Sequence, residues 1–443
     1  MSTPGVTPLG KIMKDKGRHS DYEQFDYGVL KEKGLPQGIS KLDDSFKGPQ
    51  NIDPSKLDYS DSSYITTSQP CRYDANGNAT GVEGETTECL IRGSIKRIIA
   101  STPGIGSPPP RPPSIKYRIV DTHNKGLGVF ATEDIAAGEL ILAERPIMIV
   151  PANMPSLRGK ELAGMSSSQV KQVELADSEV IAASAVDRLQ PHRKEAFFKL
   201  ANSHLHDGSG PIIGRIRTNG FGQDWVGKSD VQDMYCIVCD EGSRLNHSCS
   251  PNSQQKFDVR TFSMQFRAVR PIKKGEEITY SYCDVHEVAS VRAQKLVRYD
   301  VVCDCKACAN PTTSDPNRLK AQEWIQRMKS CRFADFSLPT STTVSLLLTG
   351  LRLFESEGLE SMLTFGQILF TLMKTYAAKG DVENTQVYAR RYNKWLLASM
   401  GDCFEEDDVE NAFGLVASAR LVQGMKGMWT SGGARKAKKA GKS

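Results

Sequence analysis

Between residues 117 and 151 the apolar positions follow the spacing of strands. YRIVDT reads as one strand, and NKGLGVFA as a glycine-punctuated turn running into another. ELILAERPIMIVP reads as further buried strand, interrupted at Pro146 and ended by Pro151. Over 156–206 the period lengthens to that of a helix, first in SSSQVKQVELADSEVIAASAVDRL and then in PHRKEAFFKLANS. Serines suited to capping open the first segment, and Pro191 stands near the start of the second. Short strands are expected to resume around 257–282. Strands interrupted by a helical insert predict an α+β domain.

After residue 315 the chain reads as helical to about 430. Met362, Phe365, Leu369, Leu372 and Tyr376 fall three and four residues apart and form one apolar face. AKGDVEN breaks that pattern, and Tyr388, Tyr392, Trp395 and Leu396 form the next face. Two amphipathic helices joined by a Gly-Asp turn resemble a tetratricopeptide-type hairpin. An ordinary helical bundle fits the same pattern, because no repeat of fixed period is found. Residues 1–115 are different. They are rich in Gly, Ser, Asp, Asn and Pro, and their apolar pieces are short, as in Ile91 with Ile95, Ile98 and Ile99. The run PGIGSPPPRPP (103–113) is a linker that enters neither a helix nor a central strand. The region 1–115 is therefore expected to be mostly disordered.

Composition adds three constraints. The chain has 443 residues, enough for two or three domains. No apolar run of 18 residues occurs, and the first residues carry no apolar signal core, so an intracellular protein without a membrane span is expected. The net charge of +5 resides in the tail: RKAKKAGKS (435–443) holds five basic residues, and without them 52 basic residues face 52 acidic ones. A neutral body argues against a nucleic-acid binder, and the tail reads as a solvated end or an import signal. Of the 11 cysteines, seven lie between Cys236 and Cys308. An odd number crowded in this way points to metal rather than to disulfides.

Four segments carry candidate chemistry. In Lys125-Gly126-Leu127-Gly128-Val129-Phe130-Ala131, two glycines let backbone approach a ligand closely, although a plain hairpin turn would also use them. Arg244-Leu245-Asn246-His247-Ser248-Cys249-Ser250-Pro251-Asn252 offers amide and imidazole groups beside a thiol, a mixture suited to a polar ligand and a metal together. Gly275-Glu276-Glu277-Ile278-Thr279-Tyr280-Ser281-Tyr282 is a turn entering a strand with Ile278, Tyr280 and Tyr282 on one face. Cys303-Asp304-Cys305-Lys306-Ala307-Cys308 places three thiols within six residues. Structural zinc takes four ligands, so a fourth must come from elsewhere. Cys249 is the first candidate, with Cys236, Cys239 and Cys283 as rivals.

In this order the four segments resemble the SET domain of protein lysine methyltransferases. The likeness covers roughly 117–308, and NHSCSPN and GEEITYSY are its specific parts. The helical insert, the short C-x-C-x-x-C tail and the helical C-terminal region are most similar to the SET-and-MYND family and its fungal relatives. The resemblance implies a SET β-fold with knot-like threading over 116–285, its insert spanning 156–211. A zinc-bound post-SET segment (286–312), an all-α tetratricopeptide-like domain (313–430) and a basic disordered tail (431–443) would follow.

It also implies an activity, the transfer of a methyl group from S-adenosylmethionine (SAM) to a lysine of a histone or non-histone protein. Lys125, Gly126, Leu127 and Gly128 would contact SAM through backbone, Asn219 would help to hold it, and Asn246 and His247 would bind it, the histidine near the adenine. Tyr282 would stand at the methyl-transfer point and Tyr299 would line the lysine channel. Cys249 would join Cys303, Cys305 and Cys308 around zinc. A monomer in the nucleus or cytoplasm is the default, and the helical C-terminal domain would be the place for protein partners. The alternative is a catalytically silent SET protein that binds partners through that domain. Two departures stand out. Residues 140–210 contain no cysteine, and only Cys71 and Cys89 precede them, so a MYND finger is not expected. Val301 stands where relatives often carry an aromatic of the lysine channel.

Overall fold

The computed structural model describes residues 35–42, 48–73, 79–80, 84–122, 125–154, 158–225, 234–330, 341–405 and 409. The basic tail and the helical pattern expected beyond residue 410 lie outside these residues.

Fifteen strands form among them. The largest sheet has six, in the order β1 (Gln50–Asn51), β2 (Tyr64–Gln69), β5 (Thr87–Arg92), β9 (Met148–Pro151), β11 (Met234–Val238) and β10 (Phe221–Asp224). A short ribbon pairs β3 (Arg72–Tyr73) with β4 (Ala79–Thr80). A four-stranded sheet runs β12 (Asn246–His247), β15 (Glu277–Tyr280), β7 (Gly126–Ala131) and β6 (Tyr117–Thr122). A three-stranded sheet runs β13 (Ser253–Asp258), β14 (Ser263–Ala268) and β8 (Leu140–Glu144). Pro146 separates β8 from β9, as a residue with no amide hydrogen to give to a ladder should.

The first half of the large sheet corrects the expectation of disorder for 1–115 over residues 48–73 and 84–115, while residues 1–34 lie outside the described ones. Strand β5 pairs parallel with β9 through Glu88–Met148 and Cys89–Ile149, and antiparallel with β2 over six residues. It leads directly into helix α1 (Gly93–Ala100). Ile65, Cys89, Ile91, Ile95 and Ile99 are fully buried in the same core as Val129, Ile278 and Tyr280. The polar flanks are held by polar contacts: the buried Lys96 ammonium donates to the carbonyls of Asp53 and Lys56, closing the 53–60 loop under α1. The Pro-rich run also lies against the domain, with Ile105 buried and the Ser107 amide donating to the Arg260 carbonyl.

The insert folds as helices α2 (Ser167–Val186), α3 (Pro191–Phe198) and α4 (Pro211–Asn219). Ser166 and Gln169 form a reciprocal capping box at the start of α2, and Pro191 takes the first turn of α3. Their apolar residues, including Leu175, Ile181, Phe197 and Ile213, bury the face of the large sheet that carries Leu90, Met148, Val150 and Cys236. Helix α5 (Ala289–Leu296) and the single turn α6 (Lys306–Ala309) frame the cysteine-rich tail. Beyond it lie α7 (Pro311–Ser330), α8 (Ser341–Glu357), α9 (Leu363–Ala378) and α10 (Val382–Met400). Phe365, Leu369 and Leu372 of α9 meet Tyr388, Tyr392, Trp395 and Leu396 of α10 in one core. Gly366 lies where a β-carbon would come within 2.3 Å of the Trp395 ring, so the two helices cross at glycine. Helix α10 reaches the three-stranded sheet through Ser399, whose hydroxyl bonds Gln254 of β13.

Candidate functional site

The site assembles where the glycine turn, the 244–252 segment and the strand leading to Tyr282 meet. Strand β12 pairs parallel with β15, His247 opposite Tyr280, and the Ser248 amide donates to the Tyr280 carbonyl. Asn252 staples the two segments: its amide nitrogen donates to the Glu277 carbonyl, and its oxygen accepts from the Thr279 amide, both at 2.8 Å. Asn246 reaches sideways, donating to the Leu127 carbonyl at 3.2 Å and to the Glu277 carboxylate at 2.8 Å. The turn must be glycine for two reasons. Gly126 takes a φ of +67°. At Gly128 a β-carbon would stand 2.7–3.0 Å from Thr122, Glu277 and Asn246.

Tyr282 follows β15. Its hydroxyl donates to the Leu245 carbonyl at 2.8 Å, and burial pushes its pKa up, so it stays a neutral donor. The rings of Tyr280, His247 and Tyr299 surround it at centroid distances of 4.8, 5.3 and 5.2 Å. Tyr299 is buried, and Val301 packs beside it and Leu296. Behind this wall the Ser203 hydroxyl donates to the Arg298 carbonyl, so the insert helps to hold the wall in place.

The sulfurs of Cys249, Cys303, Cys305 and Cys308 lie within 4.8 Å of one another. Cys249 is 3.8 Å from Cys303 and 3.5 Å from Cys308. Zn–S bonds of about 2.3 Å in a tetrahedron put sulfurs roughly 3.8 Å apart, so the four thiols fit that ion. Of the rivals, Cys283 lies within reach of Cys249 and His247 but outside the tetrad. Cys236 and Cys239 sit in apolar cores. Lys125 joins the two halves of the site: its ammonium pairs with Asp304, within the cysteine run, at 2.7 Å.

The SET domain family matches residues 126–283. The chain carries a SET domain. Among curated proteins it is similar to histone-lysine N-methyltransferase set5 of Schizosaccharomyces pombe, at 29% identity over 44% of this chain and 50% of that one. It is also similar to a putative SET domain-containing protein of Acanthamoeba polyphaga mimivirus (27%, 47% of this chain, 81% of that one). A SET and MYND domain-containing protein of Dictyostelium discoideum is 33% identical over 30% of this chain and 34% of its own. The chain thus spans half the length of the fission-yeast relative. A solved structure, the SET domain of LSMT bound to lysine and AdoHcy, covers 70% of this chain and 88% of that one, at 12% identity and a TM-score of 0.24.

Within the SET domain, the structure brings together Gly126–Gly128, Asn246, His247 and Tyr282. Tyr299 and three of the four clustered cysteines lie beyond the matched range yet close the same site. Asn219, expected to help hold the cofactor, donates its amide to the Ala201 and Arg215 carbonyls and so ties down the insert. Sequence reasoning missed two arginines. Arg318, fully buried, donates to the carbonyls of Cys249 and Val285 and pairs with Glu357 at 3.2 Å. Arg292, also fully buried, points a guanidinium nitrogen at Cys308 sulfur at 3.4 Å. An arginine on a helix reads as surface, so neither carried a signal.

Proposed function

We propose that this protein is a protein-lysine N-methyltransferase that uses SAM as methyl donor and holds a structural zinc ion on Cys249, Cys303, Cys305 and Cys308. The observation that carries the reading is the meeting of Tyr282, Asn246 and the Gly126–Gly128 turn inside a matched SET domain, with Tyr299 from just beyond it against Tyr282. The target is a lysine of a histone or another protein, in the nucleus or cytoplasm. The parallel pairing of β12 with β15 supports the knot-like threading of the fold.

SAM would supply an electrophilic methyl group on a sulfonium. Attack requires a neutral amine, and a free lysine has a pKa of about 10.4. Aromatic walls at the buried Tyr299 and the part-buried Tyr282 would exclude water and favour that neutral form. The bound donor would supply the methyl group: the amine lone pair would form the C–N bond while the C–S electron pair stayed on sulfur, and the extra proton would pass to solvent. Tyr282 hydroxyl, aimed by its bond to Leu245, and the Leu245 carbonyl itself would orient the amine. Glycine backbone at 126–128 would lie along the cofactor, with Asn246 fixing the turn. The thiolate-bound metal would fold 299–308 into a wall and take no part in the transfer.

The test is incubation of the purified full chain with radiolabelled SAM and a mixture of histones and whole-cell protein, beside Tyr282→Phe. A labelled protein band that falls on the order of a hundredfold in the variant supports the reading. No label in either sample, with SAM binding measured as intact, would overturn it in favour of a silent partner-binding SET protein.

A further inference from the structure

We infer that the His247 side chain is a positioning residue that joins the metal thiolates to Tyr282, rather than a contact to the cofactor. The two ring nitrogens decide this. Nδ1 lies 2.9 Å from the backbone nitrogen of Tyr282. A backbone amide can only donate, so Nδ1 accepts and carries no proton. The ring proton therefore sits on Nε2, which lies 3.2 Å from the sulfur of Cys249. A metal-bound thiolate has no proton of its own and accepts. His247 is buried, so both ring nitrogens are spent inside the protein and no polar ring atom is left for an adenine.

The resulting chain runs from the Cys249 thiolate through the imidazole to the amide of Tyr282, and through the Tyr282 hydroxyl to Leu245, two residues before His247. It closes a small loop in which each member fixes the next. A second donor meets the cluster elsewhere, where Arg292 reaches Cys308. N–H groups thus meet the sulfurs of Cys249 and Cys308 from side chains and those of Cys303 and Cys305 from the backbone amides of Cys305 and Cys308, and the histidine is the side chain that leads back to Tyr282.

This inference rests on the zinc site and the Tyr282 role proposed above, but none of its readouts is methyl transfer. In the full chain, His247→Asn places an oxygen near the former Nδ1 and removes the donor to sulfur. His247→Gln places an amide nitrogen near the former Nε2 and removes the acceptor for Tyr282. Zinc release to a chromophoric chelator should quicken about tenfold or more in His247→Asn and stay near the parent rate in His247→Gln. SAM affinity, measured by calorimetry, should be unchanged in His247→Asn. Parent-like zinc release from His247→Asn, together with lost SAM binding in both variants, would overturn the inference and make His247 a cofactor ligand. Should a variant not fold, the parent decides. With histidine labelled by nitrogen-15 and cadmium-113 in the site, the Nε2–H form and a coupling through the N–H···S bond are expected, and a proton on Nδ1 would overturn the inference. A chain that passes these tests and never methylates a protein would sink the activity and leave this bridge standing.

Discussion

Two C-x-x-C pairs occur in this chain, and they share a spacing and nothing else. Cys236 and Cys239 lie in and just after strand β11, both fully buried. Side chains three apart on a strand point to opposite faces. Cys236 accordingly faces the insert helices, in the core of Leu90, Val150 and Ile213, whereas Cys239 faces the other core, with Ile237 and Leu245. Cys305 is the N-cap of the single turn α6 and Cys308 lies within it, where the Cys308 amide donates to the Cys305 carbonyl. There, three residues nearly complete a turn, and both sulfurs face Cys249 and Cys303. Spacing proposes a metal site, and backbone conformation decides it.

The largest effect that could break this contrast is on metal content. Cys308→Ser should reduce bound zinc from about one equivalent per chain to near none, and Cys236→Ser should leave it in place. Elemental analysis of the purified full chain reads both. Equal zinc loss in the two variants would mean that the pairs are not different in kind.

Next comes the support that the tetrad has and the strand pair lacks. Arg318 on α7 is fully buried, holds the Cys249 and Val285 carbonyls, and pairs with the nearly buried carboxylate of Glu357. Arg318→Met leaves that carboxylate uncompensated and should cost about 3–5 kcal/mol in denaturant unfolding. Double replacement, Arg318→Met with Glu357→Met, should recover part of the loss. If the single variant is as stable as the parent, the helical domain does not brace the cysteine site.

Thiol chemistry separates the pairs more finely. Burial pushes the Cys236 and Cys239 thiols well above their ordinary pKa. With zinc chelated, a maleimide should label the tetrad positions first and reach Cys236 and Cys239 only on unfolding. Peptide mass mapping gives the order.

What was legible in the sequence follows the same logic of local against distant causes. Strands β6 to β9 and the insert helices announce themselves by period, by prolines and by a capping serine, which are all local. The residues of NHSCSPN could be read as suited to a polar ligand and a metal, while the particular roles expected of it and of GEEITYSY came from likeness to the SET domain. Strand β5 could not be read. TECLIR is short, buried on nearly every side chain, and set among polar neighbours, and its partner β9 lies some 60 residues further on. Its order comes from the sheet it joins. The two arginines at the cysteine site are equally distant in cause, because a guanidinium reads as solvent-facing until the carbonyls and thiols around it are known. Asn219 was assigned by likeness alone, and its own bonds hold the insert.

The smallest expected effect is the most direct check on the strand pair. Cys236→Ala removes one sulfur from a site where Gly220 lies so close that a β-carbon there would stand 3.1 Å from that of Cys236. The cavity is about one methyl group in size, so the loss should be about 1 kcal/mol, and Cys239→Ala should cost a similar amount on the other face. Because the two side chains occupy different cores, the double variant should lose the sum of the single losses. Additive losses in denaturant unfolding would confirm that these thiols act as separate apolar fillers. A double variant much less damaged than the sum would mean that they share a site after all, and the contrast with Cys305 and Cys308 would fall.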